Sequence, residues 1–176
     1  MRDRVTLGRV LIGGVGYRWQ RDASFGLIAV DALMGETWPD HVEVADLGYG
    51  AIYVTQDLAD AKPPYNRLVL LAAVARGRRP GELYRCHWRG PLPGPEEVQA
   101  RVREAGAGVI DLDHLLVIAG YFGALPEDVV TLELEPVDVL GGEELSPAAT
   151  GRLPHALEQA REAALGPLMA RAGISG

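Results

Sequence analysis

The chain has 176 residues, a length that fits one domain with a full hydrophobic core. Hydrophobic residues make up 48% and charged residues 23%, which excludes a disordered, collagen-like or coiled-coil chain. Acidic residues outnumber basic ones by 24 to 17, and the resulting net charge of −7 argues against nucleic acid as a partner.

The compartment can be inferred from what the sequence lacks. No apolar run approaches the ~20 residues of a membrane helix, and the first residues lack the apolar stretch of a signal peptide. The single cysteine, Cys86, allows neither an internal disulfide nor a cysteine-based zinc site. We therefore expect a cytoplasmic protein without membrane contact, in which Cys86 is a buried or edge thiol.

The first half of the chain alternates predicted strands with predicted helices. A strand at Gly8–Gly14 closes on glycines, and a helix with one apolar face follows at Asp22–Met34. The next strand, His41–Ala45, precedes a short helix at Ala51–Ala61. Asn66–Val74 is continuously apolar, as a parallel strand covered on both faces is.

The second half continues the alternation. A strand is predicted at Glu82–Trp88, and helices follow at Glu96–Ala105 and Asp113–Phe122. Val129–Leu134 is the last predicted strand. Ser146 and Pro147 open a final helix that is expected to run to about residue 170.

This alternation predicts an α/β protein: a three-layer α/β/α sandwich around a mostly parallel twisted sheet. The chain is expected to form a single domain over residues 1–176, with a frayed tail at 171–176. In such sheets, ligands bind beyond the carboxyl ends of the strands.

Two common motifs are incomplete. Gly14-Val15-Gly16 supplies half of a dinucleotide fingerprint, but Trp19 stands at its third glycine position. The only lysine is Lys62, so there is no phosphate-binding Walker motif, and we predict a tight turn instead. Ser24 and Ser146 stand at predicted helix starts, where capping explains them better than a serine triad.

The acidic residues Asp22 and Asp46 follow the first two strands, whose ends are neighbours in such a sheet. Two hypotheses stay open for them: a shared functional crevice, or helix and turn caps. None of the histidines has the spacing of a zinc protease. These are His41, His87, His114 and His155.

One basic cluster stands out, formed by Arg76, Arg78 and Arg79. A solvated loop is the simpler interpretation of this cluster. The alternative is an anchor for a partner that carries a carboxylate.

Four segments together match a known family pattern. They are Leu11–Gly26 with its Gly-Val-Gly turn and Asp22, Val42–Gly48 with Asp46, Arg67–Val74, and the stretch from Leu125 through Pro136 to Pro147. On these landmarks, from about Arg9 to Leu168, the chain resembles the hydrogenase maturation proteases. These are nickel-dependent endopeptidases that process the large subunit of [NiFe] hydrogenases.

The resemblance implies an α/β/α sandwich and a mode of substrate recognition. Family members bind the nickel of the immature large subunit through an acid after the first turn, an aspartate ending the third strand, and a histidine. The metal belongs to the substrate. Cleavage then removes a C-terminal peptide.

Carried over to this chain, the three ligand positions fall on Ala23, Ala72 and Gly108, and the turn asparagine becomes Tyr17. Alanine and glycine side chains cannot ligate a metal. Asp46 matches a family acid near the site. The resemblance thus implies that the metal-ligand positions are lost, with no cofactor expected.

Three hypotheses follow. The first is a non-catalytic homologue that binds a [NiFe] hydrogenase large subunit or related partner. The second is an active endopeptidase that acts on a nickel-loaded precursor through Asp22 and Asp46, with His114 completing a fallback metal set. The third is a scaffold or chaperone for another partner. The candidate substrate-binding residues are Gly16, Tyr17, Trp19, Asp22, Asp46 and Tyr49.

Overall fold

One sheet of five strands organises the protein, in a computed structural model that describes residues 8–168. The strands are β1 (Val10–Gly14), β2 (Val42–Asp46), β3 (Arg67–Ala73), β4 (Leu83–His87) and β5 (Asp128–Leu134). Their order across the sheet is β2-β1-β3-β5-β4. Only β4 runs antiparallel to its neighbour, which confirms the mostly parallel sheet.

Five helices cover the two faces of this sheet. They are α1 (Phe25–Met34), α2 (Ala51–Asp60), α3 (Pro95–Gly106), α4 (Leu112–Tyr121) and α5 (Pro147–Leu165), with a 3-10 turn at Arg21–Ser24 before α1. Helices α1 and α5 enclose one core with the sheet, while α2 and α4 enclose the other and α3 packs on α4. The predicted three-layer sandwich is confirmed.

The central strands explain why the sheet is buried. Every residue of β5 is buried, and so is every residue of β3 except Ala73. Alternate side chains along β3 enter the two cores: Val69 and Leu71 face α1 and α5, whereas Leu70 and Ala72 face α2 and α4. A continuous apolar run is what such a doubly covered strand requires.

Within residues 8–168, side chains cap two of the five helices, α4 and α5, whereas α1, α2 and α3 have no side-chain cap. Ser146 caps α5 by accepting a hydrogen bond from the Ala149 N–H, as predicted. The Ser24 hydroxyl instead donates to the Arg21 carbonyl within the 3-10 turn.

The last helix ends earlier than predicted, at Leu165. Gly166 is extended (φ −73°, ψ 169°), the conformation that the following Pro167 favours in the residue before it, so the helix ends there. The buried Arg67 guanidinium binds the Ala163, Gly166 and Pro167 carbonyls and also forms an ion pair with Asp128. The predicted frayed tail at 171–176 lies outside the described residues.

Among residues 8–168, no helix is both long enough and apolar enough to cross a membrane. Cys86 lies half-buried on the edge strand β4, which agrees with the predicted edge thiol.

Candidate functional site

The turn after β1 folds tightly against the 3-10 turn. Gly16 has φ +150°, and a Cβ placed there would lie 2.1 Å from the Ala23 carbonyl oxygen. The same carbonyl accepts a hydrogen bond from the Tyr17 N–H at 3.1 Å. Only glycine fits this contact, so the predicted tight turn is present for a steric reason.

Tyr17 joins this turn to the loop between α3 and α4. Its hydroxyl oxygen accepts a hydrogen bond from the Ile110 N–H at 2.6 Å. Gly108 lies two residues earlier in that loop, exposed, with φ +101° and open space around it. The structure therefore brings the segments carrying positions 17, 23 and 108 to one corner of the sheet.

Ala72 lies near the end of β3, beneath the turn after β1. It is 2% exposed, belongs to the core under α2 and α4, and pairs in register with Glu133 of β5. The preceding Leu71 carbonyl accepts a hydrogen bond from the Val15 N–H at 2.9 Å, so β3 touches the turn directly.

Asp22 is the most buried acid of the candidate set, at 0% exposure. Its carboxylate accepts hydrogen bonds from the N–H groups of Val137 and Asp138, at 2.9 and 3.2 Å. It also accepts from the N–H and the hydroxyl of Ser146, both at 2.8 Å. Asp22 thus fixes the chain between β5 and α5, and its oxygens are engaged within the protein.

Asp46 lies at the end of β2 and is partly exposed. Its Oδ1 accepts from the Gly48 N–H at 2.7 Å, and its Oδ2 pairs with Arg18 at 2.8 Å. Arg18 also makes a two-point contact with Asp31 on α1. The hydrogen bonds that Arg18 donates to Asp31 and Asp46 raise the pKa of Arg18, so this guanidinium stays charged and bridges α1 to β2.

His114 is buried between two carboxylates. Its Nδ1 lies 2.6 Å from Asp111 and its Nε2 lies 2.5 Å from Glu104. Both ring nitrogens are therefore occupied, Nε2 by a residue of α3 and Nδ1 by the residue that caps α4. The fallback set of Asp22, Asp46 and His114 is not assembled: among residues 8–168, no three acidic, histidine or cysteine side chains are placed to hold a metal ion.

Two of the aromatic candidates are exposed. Trp19 is 60% exposed and lines a small pocket with Ser24 and Ile28. The Tyr49 hydroxyl donates to Asp57 of α2 at 2.5 Å. Burial and this hydrogen bond raise the pKa of Tyr49 above its ordinary value.

An ion-pair network beside Ala72 was not foreseen. Arg76 and Arg78, from the loop between β3 and β4, both pair with the buried Glu133. Arg76 also pairs with Asp113 of α4 at 2.8 Å, and Arg78 pairs with the buried Glu135. The loop is largely exposed, as the solvated-loop interpretation expects, but these two arginines are paired with carboxylates of the protein itself.

The network keeps Glu133 ionised. Burial would raise its pKa, but hydrogen bonds from Arg76, Thr131 and Arg78 hold the pKa of Glu133 below its ordinary value. The sequence signal was available: Glu133 and Glu135 alternate at the end of an otherwise apolar strand, and a basic cluster follows a neighbouring strand.

The fold of this chain is similar to that of several solved structures. The hydrogenase 2 maturation peptidase of a Thaumarchaeota archaeon is 28% identical, with a TM-score of 0.62 over 88% of this chain and 97% of that chain. The chain resembles the hydrogenase maturation proteases. The E. coli hydrogenase maturating endopeptidase HybD (22% identity, TM-score 0.63, 86% and 88% covered) has the same fold.

A further maturation protease, HycI from Thermococcus kodakarensis, shares the fold at 16% identity and a TM-score of 0.60, with 92% and 96% of the chains covered. No protein-family model matches the chain, and no curated protein matches it. The resemblance to the maturation proteases therefore rests on the fold and on the sequence landmarks.

The residues at the family's ligand positions do not fit a nickel ion. Ala23 and Ala72 present methyl groups, and Gly108 presents no side chain. We therefore derive no chemical step through a metal at this corner.

Proposed function

We propose that this protein is a non-cleaving relative of the hydrogenase maturation proteases that binds a [NiFe] hydrogenase large subunit at the carboxyl edge of its sheet. One observation carries the proposal: alanine, alanine and glycine occupy positions 23, 72 and 108, where the resemblance leads us to expect three ligands. A nickel-bearing substrate would find no donor side chain at any of them.

The charges around Ala72 support this proposal. Its neighbour Glu133 is the nearest carboxylate in the sheet register, and Arg76 and Arg78 neutralise it. A divalent cation that approached Glu133 would have to displace two guanidinium groups from a buried carboxylate. Breaking a fully buried ion pair by removing one partner costs on the order of 3–5 kcal/mol, and the partial exposure of the two arginines makes the cost here smaller.

The side chains that could replace the missing metal ligands already form other hydrogen bonds within the protein. Asp22 accepts four hydrogen bonds from the segment between β5 and α5, and His114 is held by two carboxylates. Recruiting either would leave buried donors or acceptors unpaired. Asp46 is the one candidate acid at the surface of this edge, and it is paired with Arg18.

What persists is the framework of the family. The tight turn at Gly16, the buried acid at position 22 and the loops at the carboxyl edge all remain. Retention of this surface without ligands favours recognition of a partner over hydrolysis.

The test uses a nickel-loaded precursor of a [NiFe] hydrogenase large subunit. We expect the purified protein to form a complex with the precursor in light scattering, while mass spectrometry finds the precursor's C-terminal peptide intact. Asp46→Ala and Asp31→Ala form a matched pair, because both acids bind Arg18 but only Asp46 lies at a strand end.

Two outcomes would contradict the proposal. Release of the peptide by the wild type and by Asp31→Ala, but not by Asp46→Ala, would identify an active endopeptidase. Absence of both binding and cleavage would instead favour a scaffold for another partner.

A further inference from the structure

Two loops at the carboxyl edge are held together by backbone hydrogen bonds. The Gly142 N–H donates to the Trp19 carbonyl at 2.8 Å, and the Arg21 N–H donates to the Gly142 carbonyl at 3.0 Å. The Asp22 N–H donates to the Asp138 carbonyl at 2.9 Å. The turn after β1 and the chain after β5 therefore form one fixed surface.

This joined surface is strained and apolar. Trp19 and Arg21 have φ of 62° and 44°, in the left-handed region that side chains other than glycine avoid. Trp19 is 60% exposed, and Leu140 and Val139 on the other loop are 73% and 49% exposed. Strained backbone that presents apolar side chains to solvent is typical of a binding surface.

A pocket of about 220 Å³ opens on this surface. Trp19 and Ile28 supply its apolar walls, and Glu143 places a carboxylate at its edge. Arg18 also lines it, but both of its carboxylate partners, Asp31 and Asp46, already hold that guanidinium.

The charge around the pocket is negative. Arg21 is paired with Asp138 at 3.3 Å, so neither nearby arginine is free. Within residues 8–168, Glu143 and the adjacent Glu144 are exposed and form no ion pair. Two guanidinium groups thus face five carboxylates around the joined loops. These are Asp31, Asp46, Asp138, Glu143 and Glu144.

We propose that this pocket binds an arginine or lysine side chain from an extended, otherwise apolar segment of the protein partner. The cation stacks on the Trp19 indole and pairs with the Glu143 carboxylate. Apolar neighbours of the bound side chain then pack on Leu140 and Val139. The inference rests on the proposed function, because it names the chemistry of the partner segment that the carboxyl edge recognises.

Capped peptides test the pocket without any large subunit. The probes are the pentapeptide Ala-Leu-Arg-Val-Ala and its citrulline analogue, which keeps the shape of arginine but not its charge. Binding is followed by NMR of the Trp19 indole N–H and the backbone amides. We expect saturable shifts at millimolar concentration with the arginine peptide only.

The chain offers a matched control at the next residue. Glu143→Gln and Trp19→Ala should each raise the dissociation constant of the arginine peptide about threefold to fivefold. Glu144→Gln changes a residue outside the pocket and should leave this constant unchanged. Equal binding of both peptides, no binding of either, or equal loss in Glu144→Gln would overturn the inference. Far-UV circular dichroism checks that each variant is folded.

The precursor from the previous test separates the two proposals. If the precursor binds Trp19→Ala and Glu143→Gln as tightly as the wild type, the pocket inference fails while the proposed function stands. If the arginine peptide binds at the pocket but the precursor does not bind, the proposed function fails and the pocket stands.

Discussion

Replacing Asp22 separates a structural acid from a catalytic one. The Asp22→Ala variant removes one buried carboxylate and with it four hydrogen bonds. Two of the four donors belong to the buried Ser146, which also caps α5. The substitution should therefore loosen both the β5–α5 connection and the start of the last helix.

The magnitude follows from the donors left behind. Each buried donor without a partner costs about 1–3 kcal/mol, and water can reach some of those on the exposed loop. We expect Asp22→Ala to lower the free energy of unfolding by about 3–5 kcal/mol. Asp22→Asn keeps one acceptor oxygen and should lose about 2–3 kcal/mol.

Urea unfolding monitored by circular dichroism measures both losses. Asp46→Ala is the control, because it removes only one partly exposed ion pair with Arg18 and one hydrogen bond from the Gly48 N–H, a loss of about 1–2 kcal/mol together. A loss below about 1 kcal/mol in Asp22→Ala would refute the structural assignment. Asp22 would then be available for chemistry, and the active endopeptidase would regain support.

Three other substitutions probe the same corner. Gly16→Ala should lower the free energy of unfolding by more than about 2 kcal/mol, because its Cβ would meet the Ala23 carbonyl at 2.1 Å; equal stability would contradict this. Tyr17→Phe should speed hydrogen exchange at the Ile110 amide and cost about 1 kcal/mol, as NMR would detect. Burial would raise the pKa of Glu133, but hydrogen bonds from the arginines hold this pKa below the ordinary value of 4.5. The ionised Glu133 therefore stabilises the wild type at neutral pH, and this stabilisation is lost as the pH falls below 4.5. Glu133→Gln should remove that dependence and make the free energy of unfolding fall less steeply with decreasing pH. A wild-type curve no steeper than that of Glu133→Gln would count against the network.

The layers of the fold could be predicted because their signals are local. The run of β3 is apolar at every position that both cores cover, and the glycines at 14 and 16 mark the turn after β1. The end of α5 was predicted too late, because the apolar pattern continues to Leu168 although Gly166 and Pro167 end the helix at Leu165.

The roles of the candidate acids could not be predicted, because their partners are distant in sequence. Asp22 is separated by 115 to 124 residues from the groups that donate to it. Glu133 stands in a segment that was predicted only as a strand, and the arginines that pair with it lie 55 and 57 residues earlier. A sequence pattern shows that a carboxylate is present, but only the fold shows what neutralises it.

The resemblance leads us to expect a ligand at position 72, and the charges beside Ala72 explain why an alanine fits there. A buried Glu133 needs a positive partner, and the loop after β3 provides Arg76 and Arg78 next to the place where the family has a metal-binding aspartate. An aspartate at position 72 would add a second buried carboxylate to a pair that is already balanced. Alanine avoids that repulsion and packs in the core, so the arginines and the missing ligand explain each other. The carboxylate that is free to act on a partner then lies on an exposed loop, at Glu143.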